Sequence, residues 1–329
     1  MAMPTARSWT LRAAALAAAT LWAAAAAAQP AVIYEIGGKF DRSFNQAAYQ
    51  GAEAWKQRTG KPYLEFEVRN AAQREQAIRR YAERGADPIV AIGFPQASAL
   101  EKVARDFPAR RFALVDAVVD LPNVQSFLFR EHEGAFVVGM LAALFSKSGT
   151  IGFVGGQDVP LVRKVLCGYE QGAKYARPDT KVLSATAGAT PAAWTDPARG
   201  AELAKAQMSG GADVIFAAAG STGLGVMQAA KDGGRWSIGV DSNQNHLHPG
   251  SVLTSMLKRT DLAVAQAFDG VRPGVTVLGL KEGALDYAVD EHNAALLTPE
   301  MRRRADAAKA DIVAGRIQVI DWTLAKSCR

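Results

Sequence analysis

The chain has little cysteine and little histidine: two of the first and four of the second in 329 residues. His132, His246, His248 and His292 are not grouped with the cysteines, so no zinc-type ligand spacing exists. His246 and His248 share a short polar loop and read as surface residues. We expect no metal and no cofactor. An exported protein can keep a disulfide, so a bridge between Cys167 and Cys328 that pins the tail is one reading. We expect two separate thiols instead. A nucleophile elbow is also missing, and no Ser-His or Cys-His pairing is recognisable. No single sign of charge dominates: 38 Lys and Arg stand against 32 Asp and Glu, a formal net charge of +6. There is no basic stripe interleaved with aromatics, which nucleic-acid binding would need. Arg302-Arg303-Arg304 reads as the solvated face of a C-terminal helix. Beyond the first 28 residues, no apolar run is long enough to cross a membrane.

The N-terminus does carry a signal. Arg7 and Arg12 form a basic start, and Ala13 to Ala28 is uncharged and apolar apart from Thr20. Small residues fill Ala23 to Ala28. This is the pattern of a cleaved secretory signal peptide over 1–28, with the cut after Ala28. No Cys stands at the cleavage point for a lipid anchor, and no Arg-Arg pair marks a special export route. We therefore expect a periplasmic protein. Without Arg7 and Arg12 the charge of +6 falls to +4, which is mild.

After Gln29 short apolar runs alternate with segments of helical spacing. Strands are expected at Ala31–Ile36, Leu64–Val68, Ile89–Ile92, Phe112–Val115 and Val124–Phe129. Helices are expected at Phe44–Arg58, Gln73–Arg84 and Glu131–Lys147. Such alternation means parallel sheets covered by helices on both faces. Then the pattern starts again. Tyr34-Glu35-Ile36-Gly37-Gly38 has a counterpart in Gly152-Phe153-Val154-Gly155-Gly156. Gly85-Ala86-Asp87-Pro88-Ile89-Val90 has one in Gly211-Ala212-Asp213-Val214-Ile215-Phe216. Val115-Asp116 has one in Val240-Asp241. Three signals in the same order predict two α/β lobes of one doubly wound topology. The expected lobes are 29–148 with about 259–283, and 149–258 with about 284–329. Crossings near Phe129, Lys258-Arg259 and Gly283 would make the hinge.

In open α/β sheets ligands bind at the carboxyl ends of the strands. There the first half offers Gly37-Gly38-Lys39-Phe40-Asp41-Arg42-Ser43-Phe44-Asn45. Asp41 or Ser43 can cap the helix that follows. Phe44 and Asn45 at a helix mouth suit a planar, hydrogen-bonding ligand. Gly93-Phe94 is a second turn of this kind. The second half offers Ala218-Ala219-Gly220-Ser221-Thr222-Gly223-Leu224-Gly225, which lacks the Lys of a P-loop and the spacing of the dinucleotide fingerprint. Asp116 and Asp241 would face one another across the cleft. Lys258 ends a buried apolar segment and needs a partner there, for which Asp241 is the candidate. Two carboxylates across a cleft could suggest glycoside hydrolysis, but the repeated lobes favour ligand hydrogen bonding.

Taken together, Asp41-Arg42-Ser43-Phe44-Asn45, Gly152-Phe153-Val154-Gly155-Gly156, Trp194-Thr195-Asp196-Pro197, Ala218-Ala219-Gly220-Ser221-Thr222-Gly223, Val240-Asp241-Ser242 and Leu253-Thr254-Ser255-Met256-Leu257-Lys258 resemble the basic-membrane-protein family of ABC solute receptors. That family includes receptors of the purine nucleoside type. The resemblance covers nearly the whole chain after the signal. It implies a type I periplasmic-binding-protein fold, no catalysis, and a monomer that delivers a small molecule to an ABC permease in the inner membrane. It implies that Phe44 and Trp194 sandwich a base whose edge Asp116 reads. Asp41, Asn45, Asp241 and Lys258 would hold ribose hydroxyls, Gly220 would offer backbone contacts, and Ser43 and Phe94 complete the set. A free purine or riboflavin is the alternative ligand, and a ligand-presenting sensor is the alternative role. A repressor of the same lobe architecture would need a DNA-binding segment where the signal peptide stands.

Overall fold

The computed structural model describes residues 28–328, so the expected signal peptide lies, but for Ala28, outside the described residues. The apolar runs of the first half are strands β1 (Ala31–Tyr34), β2 (Leu64–Glu67), β3 (Ile89–Ile92), β4 (Phe112–Val115) and β5 (Val124–Phe129). Between them lie helices α1 (Phe44–Thr59), α2 (Ala72–Glu83) and α3 (Ala97–Asp106). Helix α4 (Glu131–Phe145) follows, and the alternation restarts: β6 (Thr150–Gln157), α5 (Pro160–Ala176), β7 (Lys181–Gly188), α6 (Pro197–Ser209), β8 (Val214–Ala218), α7 (Thr222–Asp232), β9 (Trp236–Asp241) and β10 (Val252–Lys258). The chain ends with α8 (Thr260–Asp269), β11 (Gly274–Leu278), β12 (Leu285–Tyr287), α9 (Pro299–Val313) and the short α10 (Trp322–Ala325).

Two six-stranded sheets result, ordered β2-β1-β3-β4-β5-β11 and β7-β6-β8-β9-β10-β12. Strand for strand the orders agree, so the repeat legible in the sequence is a repeat of topology. The pairings are parallel except β10 with β12, an antiparallel edge. Strands β1, β3, β4 and β8 are buried at every position, because helices cover both faces of their sheets. This is the type I periplasmic-binding architecture: two parallel-sheet α/β lobes.

The chain crosses between the sheets after β5, after β10 and between β11 and β12. One expected boundary needs correction. Residues 131–148 were grouped with the first lobe, yet α4 packs along α5 and against β10 and β12 of the second. Glycines allow that close crossing. A Cβ on Gly139 would fall 2.1 Å from the Tyr169 carbonyl oxygen, and one on Gly172 would fall 1.8 Å from that of Phe136. Helix α8 does return to the first lobe, packing on α1.

The cysteines also need correction. Cys167, buried on α5, and Cys328 form a disulfide with Cα atoms 5.4 Å apart. The tail is brought back to α5 by Gln171, whose amide accepts from the Ile320 N–H at 2.8 Å and donates to the Ile320 carbonyl at 3.1 Å. The cysteines stand 161 positions apart in sequence, too far for spacing alone to choose the bridge over separate thiols. Among the described residues no helix is long and apolar enough to cross a membrane.

Candidate functional site

The carboxyl ends of the two sheets enclose one cavity holding about 950 Å³ of space, open mouth included. Its first wall begins where β1 ends. Gly37 and Gly38 turn the chain with φ of 116° and 74°, in the region open to glycine. The loop then runs into α1, held by two side chains. Asp41 accepts from the backbone N–H of Ser43 (2.8 Å), Asn45 (2.9 Å) and Gln46 (3.0 Å), and so caps the helix. Asn45 accepts from the Glu35 N–H at 3.1 Å and donates to the Glu35 carbonyl at 3.2 Å. Phe44, the first residue of α1, is thereby fixed against the cavity.

The facing wall carries Trp194, at the end of a short helical turn from Pro191. Its ring lies against Gly156, where a Cβ would come within 2.4 Å of ring carbon. Thr222 ties this turn to α7: its hydroxyl donates to the Ala193 carbonyl and accepts from the Asp196 N–H, both at 2.8 Å. Leu161, Val162, Val165 and Met256 extend the wall.

At the back lies a buried charge cluster. Lys258 Nζ donates to both oxygens of Asp116 at 2.7 Å and to Glu131 Oε1 at 2.9 Å. Lys164 Nζ sits 2.5 Å from Glu131 Oε2 and donates to the Phe129 carbonyl at 2.8 Å. The same Lys258 ammonium stands 5.0 Å from the Phe44 ring centre and 4.9 Å from that of Phe129, within cation–π range. Burial opposes the charge on Lys258, but Asp116, Glu131 and Asp241 outweigh it and raise its pKa. Burial pushes Glu131 up, but the Lys258 and Lys164 ammonium groups outweigh it and hold the carboxyl down at about 2. For Asp116 burial dominates and Glu131 adds to it, raising the pKa against the pull of Lys258. Its two equal contacts to one ammonium nevertheless mark it as a carboxylate.

Asp116, just after β4, and Asp241, the last residue of β9, have φ of 73° and 65°. Asp tolerates this left-handed region better than bulkier residues. Asp241 is pushed up to about 6, chiefly by burial, with Lys258 and the Ser43 hydroxyl opposing and Asp41 and Asp116 reinforcing.

Of the expected site residues, Asp41, Phe44, Asn45, Phe94, Asp116, Trp194, Gly220, Asp241 and Lys258 line this one cavity. Ser43 does not; its hydroxyl donates across the cleft to Asp241 at 2.5 Å. Lys258 takes Asp116 and Glu131 as hydrogen-bonded partners where Asp241 had been expected. Sequence reasoning missed Glu131, although the residue stands at the expected crossing after Phe129. Lys164 gave no sequence signal, for it is one cation among several on α5.

A cavity between matched sheet edges, with an aromatic on each wall and paired charges behind, defines a two-lobed solute receptor. Residues 31–306 match the family model of the PnrA-like ABC transporter substrate-binding proteins, Bmp, and the chain belongs to that family. It is 31% identical over 317 residues to the ABC transporter nucleoside-binding protein BmpA of Lactococcus lactis, covering 88% of each chain. It is 31% identical to basic membrane protein A of Borreliella afzelii, covering 86% of this chain and 89% of that one. The crystal structure of an ABC transporter solute-binding protein from Aeropyrum pernix superposes with a TM-score of 0.82 at 27% identity, over 89% of this chain and 93% of that one. Membership implies a small-molecule ligand and an ABC permease as partner.

Proposed function

We propose that this chain is a periplasmic receptor, exported through residues 1–28, that closes as a monomer on a purine nucleoside and presents it to its permease without turning it over. The observation that carries the reading is one aromatic from each lobe, Phe44 and Trp194, on the walls of a cavity backed by carboxylates and an ammonium group. A planar base between two rings gains apolar burial, and charged partners give its polar groups short, directional bonds. The nucleoside named for the Lactococcus lactis relative points the same way. In this reading Asp241 and Lys258 meet the ribose hydroxyls, Asp116 meets the base edge, and Phe94 and Gly220 complete the walls. Asp41 and Asn45, spent on backbone N–H and carbonyl groups, shape the loop that carries Phe44. A free purine or flavin is the second reading, favoured by the apolar stretch of Leu161, Val162, Val165 and Met256.

Thermal unfolding with adenosine, guanosine, inosine, free purines, riboflavin, sugars and amino acids tests the choice. A ligand at a hundred times its Kd stabilises the fold by about 2.7 kcal/mol. Stabilisation by a nucleoside is the expected result. Stabilisation by bases or flavin alone would overturn the roles of Asp241 and Lys258 and keep the receptor.

A further inference from the structure

Glu131 is the first residue of α4, placed where the chain first leaves one lobe for the other, and it is 1% exposed. Its two oxygens are divided between two cations, Oε1 to Lys258 and Oε2 to Lys164. The Lys258 ammonium has three N–H groups, and in this form Asp116 takes two contacts and Glu131 one. A ligand that both accepts and donates can enter between Lys258 and Asp116, which line the cavity, taking a proton of the first and an oxygen of the second. Lys258 must then stay in place when its bond to Asp116 is opened. Glu131 is then its remaining hydrogen-bonded partner among the described residues.

We propose that Glu131, braced by Lys164, is a positioning residue of the ligand site, anchoring Lys258 so that a ligand can part it from Asp116. The inference rests on reading the cavity as the ligand site. The cluster is also balanced in charge: Asp116 and Glu131 against Lys258 and Lys164. Removing Glu131 alone leaves Lys164 buried without its counter-charge, and the chain could fail to fold for that reason. Removing both members of the pair avoids this, and the comparison separates anchoring from neutralisation.

The experiment uses the folded protein and three chains: wild type, Glu131→Gln, and the double variant Lys164→Met with Glu131→Gln. Adenosine affinity is measured by calorimetry, and the order of the Lys258 ammonium by ¹⁵N NMR in the ligand-free protein. Both variants are expected to bind adenosine at least about tenfold more weakly, with a mobile Lys258 ammonium. An affinity restored to the wild-type value in the double variant would show that Glu131 only neutralises Lys164, and would overturn the proposal. So would wild-type affinity in Glu131→Gln. Absence of adenosine binding by the wild type would count against the nucleoside reading alone. The NMR comparison then decides the anchoring role, and a Lys258 ammonium as ordered in the double variant as in wild type would refute it.

Discussion

Asp241 makes the stability and the binding of this protein depend on pH in a direction that can be worked out. Its carboxyl rises from 3.8 to about 6, chiefly through burial. The folded chain therefore holds this proton more tightly than the unfolded chain does. The resulting stability is fully present below about pH 4 and is lost as pH rises through about 6. A gap of that size converts to about 3 kcal/mol as an upper bound. Other carboxylates work in the opposite sense; Glu131, held down at about 2, contributes stability that is lost in acid. A comparison with Asp241→Asn cancels those terms. Urea unfolding of the ligand-free protein, wild type and variant, at steps from pH 4 to pH 7, gives the difference directly. Wild type should lose up to about 3 kcal/mol relative to the variant across that range. A difference that stays constant with pH would refute the reasoning. Ribose hydroxyls that donate to this carboxyl favour its charged form. Nucleoside affinity of the wild type should then rise from pH 5 to pH 7 with release of a proton, while Asp241→Asn stays flat.

Lys258→Met removes the shared counter-charge of Asp116 and Glu131, and breaking a buried pair costs about 3–5 kcal/mol; a lowered urea midpoint checks this. Gly156→Ala should push the Trp194 ring off its seat, since the added Cβ would fall 2.4 Å from it; nucleoside affinity should drop about tenfold and the tryptophan fluorescence should change. Cys328→Ser opens a bridge spanning 161 positions and should cost about 2–5 kcal/mol, read as a lower Tm that reductant reproduces in the wild type.

The fold was legible because its signals are local and repeated. Several buried strands are short apolar runs that end near glycine or aspartate, and the same three signals, two at strand ends and one at a strand entry, recur in the same order in both halves. The division of α4 was not legible, because a helix apolar nearly all round shows which face is buried only once its neighbours are known. Its Gly139 and the Gly172 of α5 fix the choice by letting the two helices touch. The cavity-lining residues at strand ends were found for the same local reason. What escaped was pairing. Asp41 reads as a cap and as a ligand group, and Asn45 as a ligand group; both line the cavity, and both also bond the backbone of the turn, a pairing that for Asn45 carried no sequence signal. Lys258 was expected beside Asp241, yet Glu131 and Asp116 reach it from the other lobe and the crossing. The disulfide escaped likewise, since only the folded tail brings Cys328 to α5.

Most of the bonds that join the lobes across the mouth come from two short segments, and the Ser221 hydroxyl adds one to the Asp41 carbonyl at 3.4 Å. Ser43 donates to Asp241, Ser242 donates to the Ser43 carbonyl at 2.7 Å, and Gln244 donates to the Arg42 carbonyl at 2.8 Å. Each replaces a bond to water; the Ser242 and Gln244 bonds to carbonyls are worth about 0.5–1.5 kcal/mol net and the one to the Asp241 carboxylate about 1.5–3 kcal/mol. Together they fall near or below the roughly 5.5 kcal/mol needed to turn a mostly open population into a mostly closed one. The seam biases closure beside the Lys258–Asp116 pair, which also joins the lobes, and what fills the cavity adds to both. Asp241 belongs to seam and cavity alike: it receives Ser43 at the seam and lines the ligand space. A ligand hydroxyl that reaches Asp241 adds its bond to the carboxylate already holding the lobes together, so occupancy and closure strengthen one another at a single residue. Ser43→Ala should accordingly weaken nucleoside binding although its side chain does not line the cavity, with compaction on binding measured by small-angle scattering. Unchanged affinity and compaction in that variant would show that the seam plays no part in closure.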